Sequence, residues 1–274
     1  MPNAHQKKNI NKLIIVAALG YFVDIYDLLL FGVEREASLT SILSEQYPSL
    51  SEASIKILNP IFGKILLNWK MFGMLVGGIF WGILGDKKGR LSVLFGSILV
   101  YSIANILNGM IHDTDTYMML RFISGFGLAG ELGAGITLVS ESMSKEKRGY
   151  GATIVASVGV FGAVVAGLMG EVITNWRYSF YLGGAMGLAL LVLRIGVFES
   201  GMFDALKKET HIKKGNILQL FSHLPSLKKY LCIIFVTVPV WYVMGTLVLF
   251  SPELFKVTID PNSPPFGNNC SLTS

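Results

Sequence analysis

The chain has 274 residues, 52% of them apolar and only 15% charged, with a formal net charge of +5. That balance excludes an ordinary soluble globular domain. The lysines and arginines fall in short clusters between apolar runs rather than on one basic face, so nucleic acid is not an expected partner.

Scanning with the length that a helix needs to cross a bilayer core, about 20 residues, gives spans at 13–33, 65–84, 91–110, 117–143, 149–172, 178–198 and 230–250. The first carries Asp24 and Asp27 and lacks a small-residue cleavage site, so it is expected to stay as a membrane helix. The second contains Lys70, and the fourth contains Arg121 and Glu131. After the sixth comes a charged, polar connection at 199–229, long enough to read as a linker between two bundles. The expected organisation is all-α and polytopic: a six-helix bundle over 1–198, a cytoplasmic linker over 199–229, and a seventh helix with a polar tail over 230–274. The 30 glycines suit closely packed membrane helices. Cys232 and Cys270 support no disulfide framework.

Orientation follows from the basic residues. Lys7, Lys8 and Lys12 precede the first span, Lys87, Lys88 and Arg90 follow the second, and Lys145, Lys147 and Arg148 follow the fourth. Lys207, Lys208, Lys213, Lys214, Lys228 and Lys229 follow the sixth. Alternating spans put all of these on one side, while the other side holds Arg35, Lys56, Lys64 and Arg177 in its loops and Lys256 after the last span. The positive-inside rule then predicts a cytoplasmic N-terminus in a cell (inner) membrane.

Three motifs carry chemistry. The turn after the second span reads Gly82-Ile-Leu84-Gly-Asp86-Lys87-Lys-Gly89-Arg90. The fourth span reads Arg121-Phe-Ile-Ser-Gly125-Phe-Gly127-Leu-Ala-Gly130-Glu131 and is followed by Glu141 and Arg148-Gly149. The sixth ends Arg194-Ile-Gly-Val-Phe-Glu199-Ser200. These resemble the G-x-L-x-D-[RK]-x-G-[RK] loop, the R-x-x-x-G-x-G-x-x-G-E run and the R-x4-ES sequence of major facilitator superfamily transporters, in the branch of proton-linked sugar, phosphate and organic-acid carriers. The resemblance departs at Leu91, where a further basic residue is usual. It implies a cytoplasmic gate built from Gly82, Asp86, Lys87, Gly89, Arg90, Glu141, Arg148, Arg194 and Glu199. It also implies proton-coupled symport of a small polar or anionic metabolite.

An ionisable group inside hydrocarbon is costly unless it is paired or faces water, so Asp24, Asp27, Arg121 and Glu131 are the expected proton and substrate coupling residues. At about 1.5 Å per residue, Asp27 and Arg121 come out nearly level, and Asp24 lies near the midplane where transporter sites are found. Asp24 or Asp27 is expected to bind the proton, with Arg121 tuning it or holding a substrate anion. A permanent ion pair that only fixes packing is the alternative. Lys70 is left open between snorkelling, lining a cavity and pairing with an acid.

Gly73/Gly77, Gly78/Gly82 and Gly162/Ala166/Gly170 form small-residue stripes expected to serve helix contact. Missing from the fifth span is the Gly-Pro usual in drug exporters of that superfamily, which favours symport. No nucleophile–base set, phosphate loop or metal cluster is evident, so neither an enzyme nor a cofactor is expected. The expected partners are a small-molecule substrate, the proton and the lipid bilayer. The Pro/Asn/Ser-rich tail from Asp260 suggests a truncated product, to be completed by a second half or by a homodimer, the alternatives being a non-transporting fragment and a membrane interaction scaffold.

Overall fold

A computed structural model describes residues 4–88, 90–142, 148–198 and 224–243. The described residues form α1 (Ala4–Gln46), α2 (Glu52–Lys88), α3 (Arg90–Asn108), α4 (Thr114–Ser142), α5 (Arg148–Val172), α6 (Trp176–Phe198) and α7 (Leu224–Tyr242), with no strand among them. The protein is an all-α polytopic membrane protein. Among the described residues, four helical segments are long and apolar enough to cross a membrane: Ile14–Gln46, Glu52–Lys88, Gly149–Val172 and Trp176–Ile195.

The chain divides into two compact units, residues 1–216 with α1–α6 and residues 217–274 with α7. In the first, α1 packs against α5, α6 and α4, while α4 packs against α2 and α3, and α3 against α6. In the second, α7 has Pro239 within it, and Thr237 Oγ1 donates to the carbonyls of Ile233 and Ile234 at 2.8 and 3.0 Å. The part of the expected seventh span beyond residue 243, and the polar tail, lie outside the described residues, as does most of the 199–229 linker.

Two helices are much longer than hydropathy indicates. α1 runs on to Gln46 because Glu34–Gln46 contains no Gly or Pro, and the chain breaks only at Tyr47-Pro48. α2 starts at Glu52, with Ser51 Oγ accepting from the Ser54 N–H at 3.3 Å, and includes Pro60. Arg35, Lys56 and Lys64, expected in loops, are therefore helical. Asn59 ties the two extensions together by donating to the Glu36 carbonyl and to Thr40 Oγ1, both at 3.0 Å.

Small residues decide which helices touch. A Cβ on Gly73 or Gly77 of α2 would run into the carbonyl oxygens of Phe122 and Phe126, and one on Gly125 of α4 into that of Lys70. Gly162 of α5 bears in the same way on the Phe22 carbonyl of α1, beside fully buried Ala166. The stripes at 73/77 and 162/166/170 are thus helix contacts, as expected. The stripe at 78/82 is not one within the described residues: both glycines face open space.

At the end of the bundle opposite the Gly82–Arg90 turn, Arg177 Nη1 donates to the carbonyls of Gly109 and Ile111 at 3.1 and 2.6 Å. Its Nη2 lies 3.6 Å from Glu45, which also meets His112 at 3.1 Å. Thr114 donates through its backbone N–H and its hydroxyl to Gln46 Oε1. Asp113 caps α4 by accepting from the Thr116 N–H at 2.7 Å, and that bond holds the Asp113 carboxyl below the usual range.

Candidate coupling and anion site

The interior of α1–α6 is polar where a membrane protein can least tolerate it by accident. On α1, Asp24, Asp27, Phe31, Glu34 and Ser38 recur at helical spacing, and all five are buried. Along that face Asp27 meets Lys70 of α2 and Asn105 of α3, Phe31 meets Arg121 of α4, and Glu34 meets Ser179 of α6.

Asp27 is held by donors from two other helices. Lys70 Nζ of α2 donates to Asp27 Oδ2 at 3.0 Å and to the Asp27 carbonyl at 3.1 Å, and Asn105 Nδ2 of α3 donates to Oδ1 at 2.6 Å. Ser124 of α4 donates to Asn105 Oδ1 at 3.3 Å, so one residue from each of α1–α4 joins a single knot. Both members of the ion pair are fully buried. Lys70, left open by the sequence, pairs with an acid. Gly125 permits this by letting the Lys70 backbone settle against α4.

Arg121 is level with Asp27 by helical arithmetic but does not take it. Its guanidinium carbon lies 4.5 Å from the Phe180 ring centre, 4.8 Å from that of Phe31 and 5.1 Å from that of Tyr117. The side chain is fully buried, and none of its three nitrogens has a hydrogen-bond partner among the described residues. Ring faces supply attraction without consuming donors. Five N–H bonds therefore remain available to an anion.

Nearer the Gly82–Arg90 turn, Glu131 Oε1 accepts from Arg194 Nη2 at 2.6 Å, leaving Glu131 Oε2 and Arg194 Nη1 unpaired among the described residues. Gly20 of α1 makes room for this pair, since a Cβ there would strike both side chains. Asp24 is 2% exposed and its Oδ1 is unpaired among the described residues, within electrostatic reach of Glu131, Arg194, Asp27 and Lys70. Of the two aspartates expected to bind a proton, Asp27 is thus fully engaged and Asp24 is not.

Among the expected gate residues, Gly82, Asp86 and Lys87 are exposed at the end of α2. Arg194 lies inside on Glu131 rather than at the surface. Gly89 and Glu199 lie outside the described residues, as do the side chains of Arg90, Glu141 and Arg148. Sequence reasoning missed Asn105, Ser124 and the three caging rings, which look like ordinary span residues. It also missed Glu34, which fell one residue beyond the assigned first span.

The family model described as "Major Facilitator Superfamily" matches residues 14–262. The chain belongs to the major facilitator superfamily. It is 31% identical over 195 residues to a putative metabolite transport protein of Haemophilus influenzae, covering 70% of this chain and 44% of that one. It is 26% identical over 214 residues to the putative niacin/nicotinamide transporter NiaP of Bacillus subtilis, covering 77% and 50%. The fold of this superfamily member also matches the proton:xylose symporter XylE, with a TM-score of 0.57 at 18% identity over 70% of this chain and 45% of that one. The chain spans about half the length of the curated relatives it matches.

Proposed function

We propose that this superfamily member works as part of a proton-coupled symporter for a small polar or anionic metabolite, an organic acid being the substrate that fits best. The observation that carries this reading is the state of Arg121: fully buried, caged by rings, and with no hydrogen-bond partner for any of its nitrogens among the described residues. A bidentate guanidinium–carboxylate contact satisfies such a group and adds geometric selectivity. The rings of Phe31, Tyr117 and Phe180 favour a ligand with an apolar body.

In this reading Asp24 carries the proton and Asp27 is a positioning residue. Asp27 faces an ammonium and an amide N–H, donors that suit only its ionised form, whereas Asp24 has an open oxygen. Glu131 and Arg194 form the pair between Asp24 and the cytoplasmic turn. The N-terminus is cytoplasmic, the membrane is the cell (inner) membrane, and a second bundle faces the first to complete the substrate path, supplied by the rest of the polypeptide, by another chain or by a second copy. The chain has no enzymatic role.

The test is uptake by the protein, as its own gene encodes it, in proteoliposomes offered nicotinate, inorganic phosphate or xylose with and without an inward proton gradient. Gradient-stimulated uptake of an anion, abolished by Arg121→Gln, supports the reading. Uptake of xylose alone, unaffected by Arg121→Gln, overturns the anion assignment.

A further inference from the structure

Glu34 is a buried carboxyl that the coupling scheme above does not use. It is 4% exposed on α1, on the same face as Asp24 and Asp27. Ten residues separate it from Asp24, or about 15 Å along the helix, which is half the thickness of a hydrocarbon core of about 30 Å. With Asp24 near the midplane, Glu34 stands where the core meets the aqueous side opposite the Gly82–Arg90 turn. It is shielded by protein there.

Its neighbours on each packed element are these. From α6, Ser179 Oγ donates to Glu34 Oε1 at 2.7 Å. Gly170 of α5 faces it with backbone alone, a Cβ there falling 3.9 Å from Oε1. On α1, the Tyr26 hydroxyl donates to the Ser179 carbonyl at 3.3 Å and lies within electrostatic reach of both Glu34 and Asp27. Arg35 directs its side chain to Gly63 of α2. From α4, Tyr117 hydrogen-bonds Ser38, and Arg121 is enclosed by its rings. Arg177 and Glu45 are engaged with each other and with the α3–α4 connection.

The contrast with Asp27 is chemical. An ammonium and an amide N–H can only donate, so they hold a carboxylate and reject a carboxylic acid. A serine hydroxyl donates to the first and accepts from the second. The Ser179 contact to Glu34 Oε1 can therefore persist in both protonation states, which suits a group that loads and unloads a proton.

We propose that Glu34 is the outer proton-loading residue of the carrier, taking a proton from the water on that side and yielding it inward toward Asp24. The exchange is balanced. A proton from the outer water converts the Glu34 carboxylate to the acid, and its release inward restores that carboxylate; because about 15 Å of helix separates the two groups, water carries the proton on before Asp24 becomes the acid. The inference rests on the proton-coupled reading of the same bundle, and two measurements on the protein as its own gene encodes it keep their failures apart.

The first is an infrared pH titration of buried carboxyl groups in the purified protein, which needs no substrate. The second compares proton-driven nicotinate uptake with nicotinate counterflow in proteoliposomes. Glu34→Gln, which keeps the acceptor for Ser179, is expected to delete one titrating carboxyl signal. It is also expected to slow proton-driven uptake by about tenfold or more while leaving counterflow within about twofold, with Glu34→Asp recovering much of the loss. An unchanged titration, unchanged proton-driven uptake, or equal loss of uptake and counterflow overturns the proposal. If the unsubstituted protein moves no nicotinate, that choice of substrate fails, and the titration alone decides for or against Glu34.

Discussion

Lys70 and Asp27 meet at 3.0 Å with no exposed surface on either side chain, and Lys70 reaches the carbonyl of the same aspartate. Removing one partner strands a charge in a low-dielectric interior. Lys70→Met is expected to cost about 3–5 kcal/mol, and Asp27→Asn with Lys70→Met together distinctly less than the sum of the two singles. Unfolding in detergent, read as a double-mutant cycle, checks this. Additive costs would mean that the pair does not act as a unit.

Arg121 should be more sensitive in function than in stability. Arg121→Lys keeps the charge and loses the planar fork, so anion uptake is expected to fall by about 10–100-fold, the worth of one or two charge-assisted hydrogen bonds. Melting of the bundle should shift little. Uptake and melting measured on the same preparations separate a ligand contact from a packing role.

The two aspartates should part company. Asp24→Asn is expected to remove the response of uptake to a proton gradient while leaving counterflow. Asp27→Asn is expected to lower both, because it disturbs the knot that Lys70 and Asn105 make around it. Uptake against external pH, with counterflow alongside, checks the split, and a reversed pattern would reassign the proton to Asp27.

Asp113→Ala removes the α4 cap at a cost of about 1 kcal/mol. The cap stabilises as the ionised carboxylate, whose folded pKa lies below its usual value. Its contribution is therefore complete above the ordinary carboxylate range and disappears as pH falls through the lowered folded value. The difference between Asp113→Ala and the parent should accordingly vanish in acid, which melting curves across that range will show.

Much of this architecture is legible in the residues. Apolar runs locate the spans, the motifs at Gly82–Arg90 and Arg121–Glu131 point to the superfamily, and the charged positions inside spans mark the polar interior. Partnership is harder to read. Rise along a helix places Asp27 and Arg121 at one depth, yet depth fixes only one coordinate, and rotation about the helix axes gives Asp27 to Lys70 and encloses Arg121 in rings. Hydropathy also ends a span where charge begins, although a helix ends only where its backbone hydrogen bonding does. That difference hid Glu34 and Arg35, which continue α1 without a breaker until Tyr47-Pro48.

The glycine contacts have a mechanical consequence. With backbone seated on backbone at Gly73, Gly77 and Gly125, α2 and α4 are closely engaged and resist sliding, and Gly162 seats α5 on α1 in the same way. The Lys70–Asp27–Asn105–Ser124 knot then rivets α1, α2, α3 and α4 together. Internal shear would have to break several backbone contacts and a buried ion pair at once. The first unit is thus held as a lever rather than a hinge, able to tilt only as a whole.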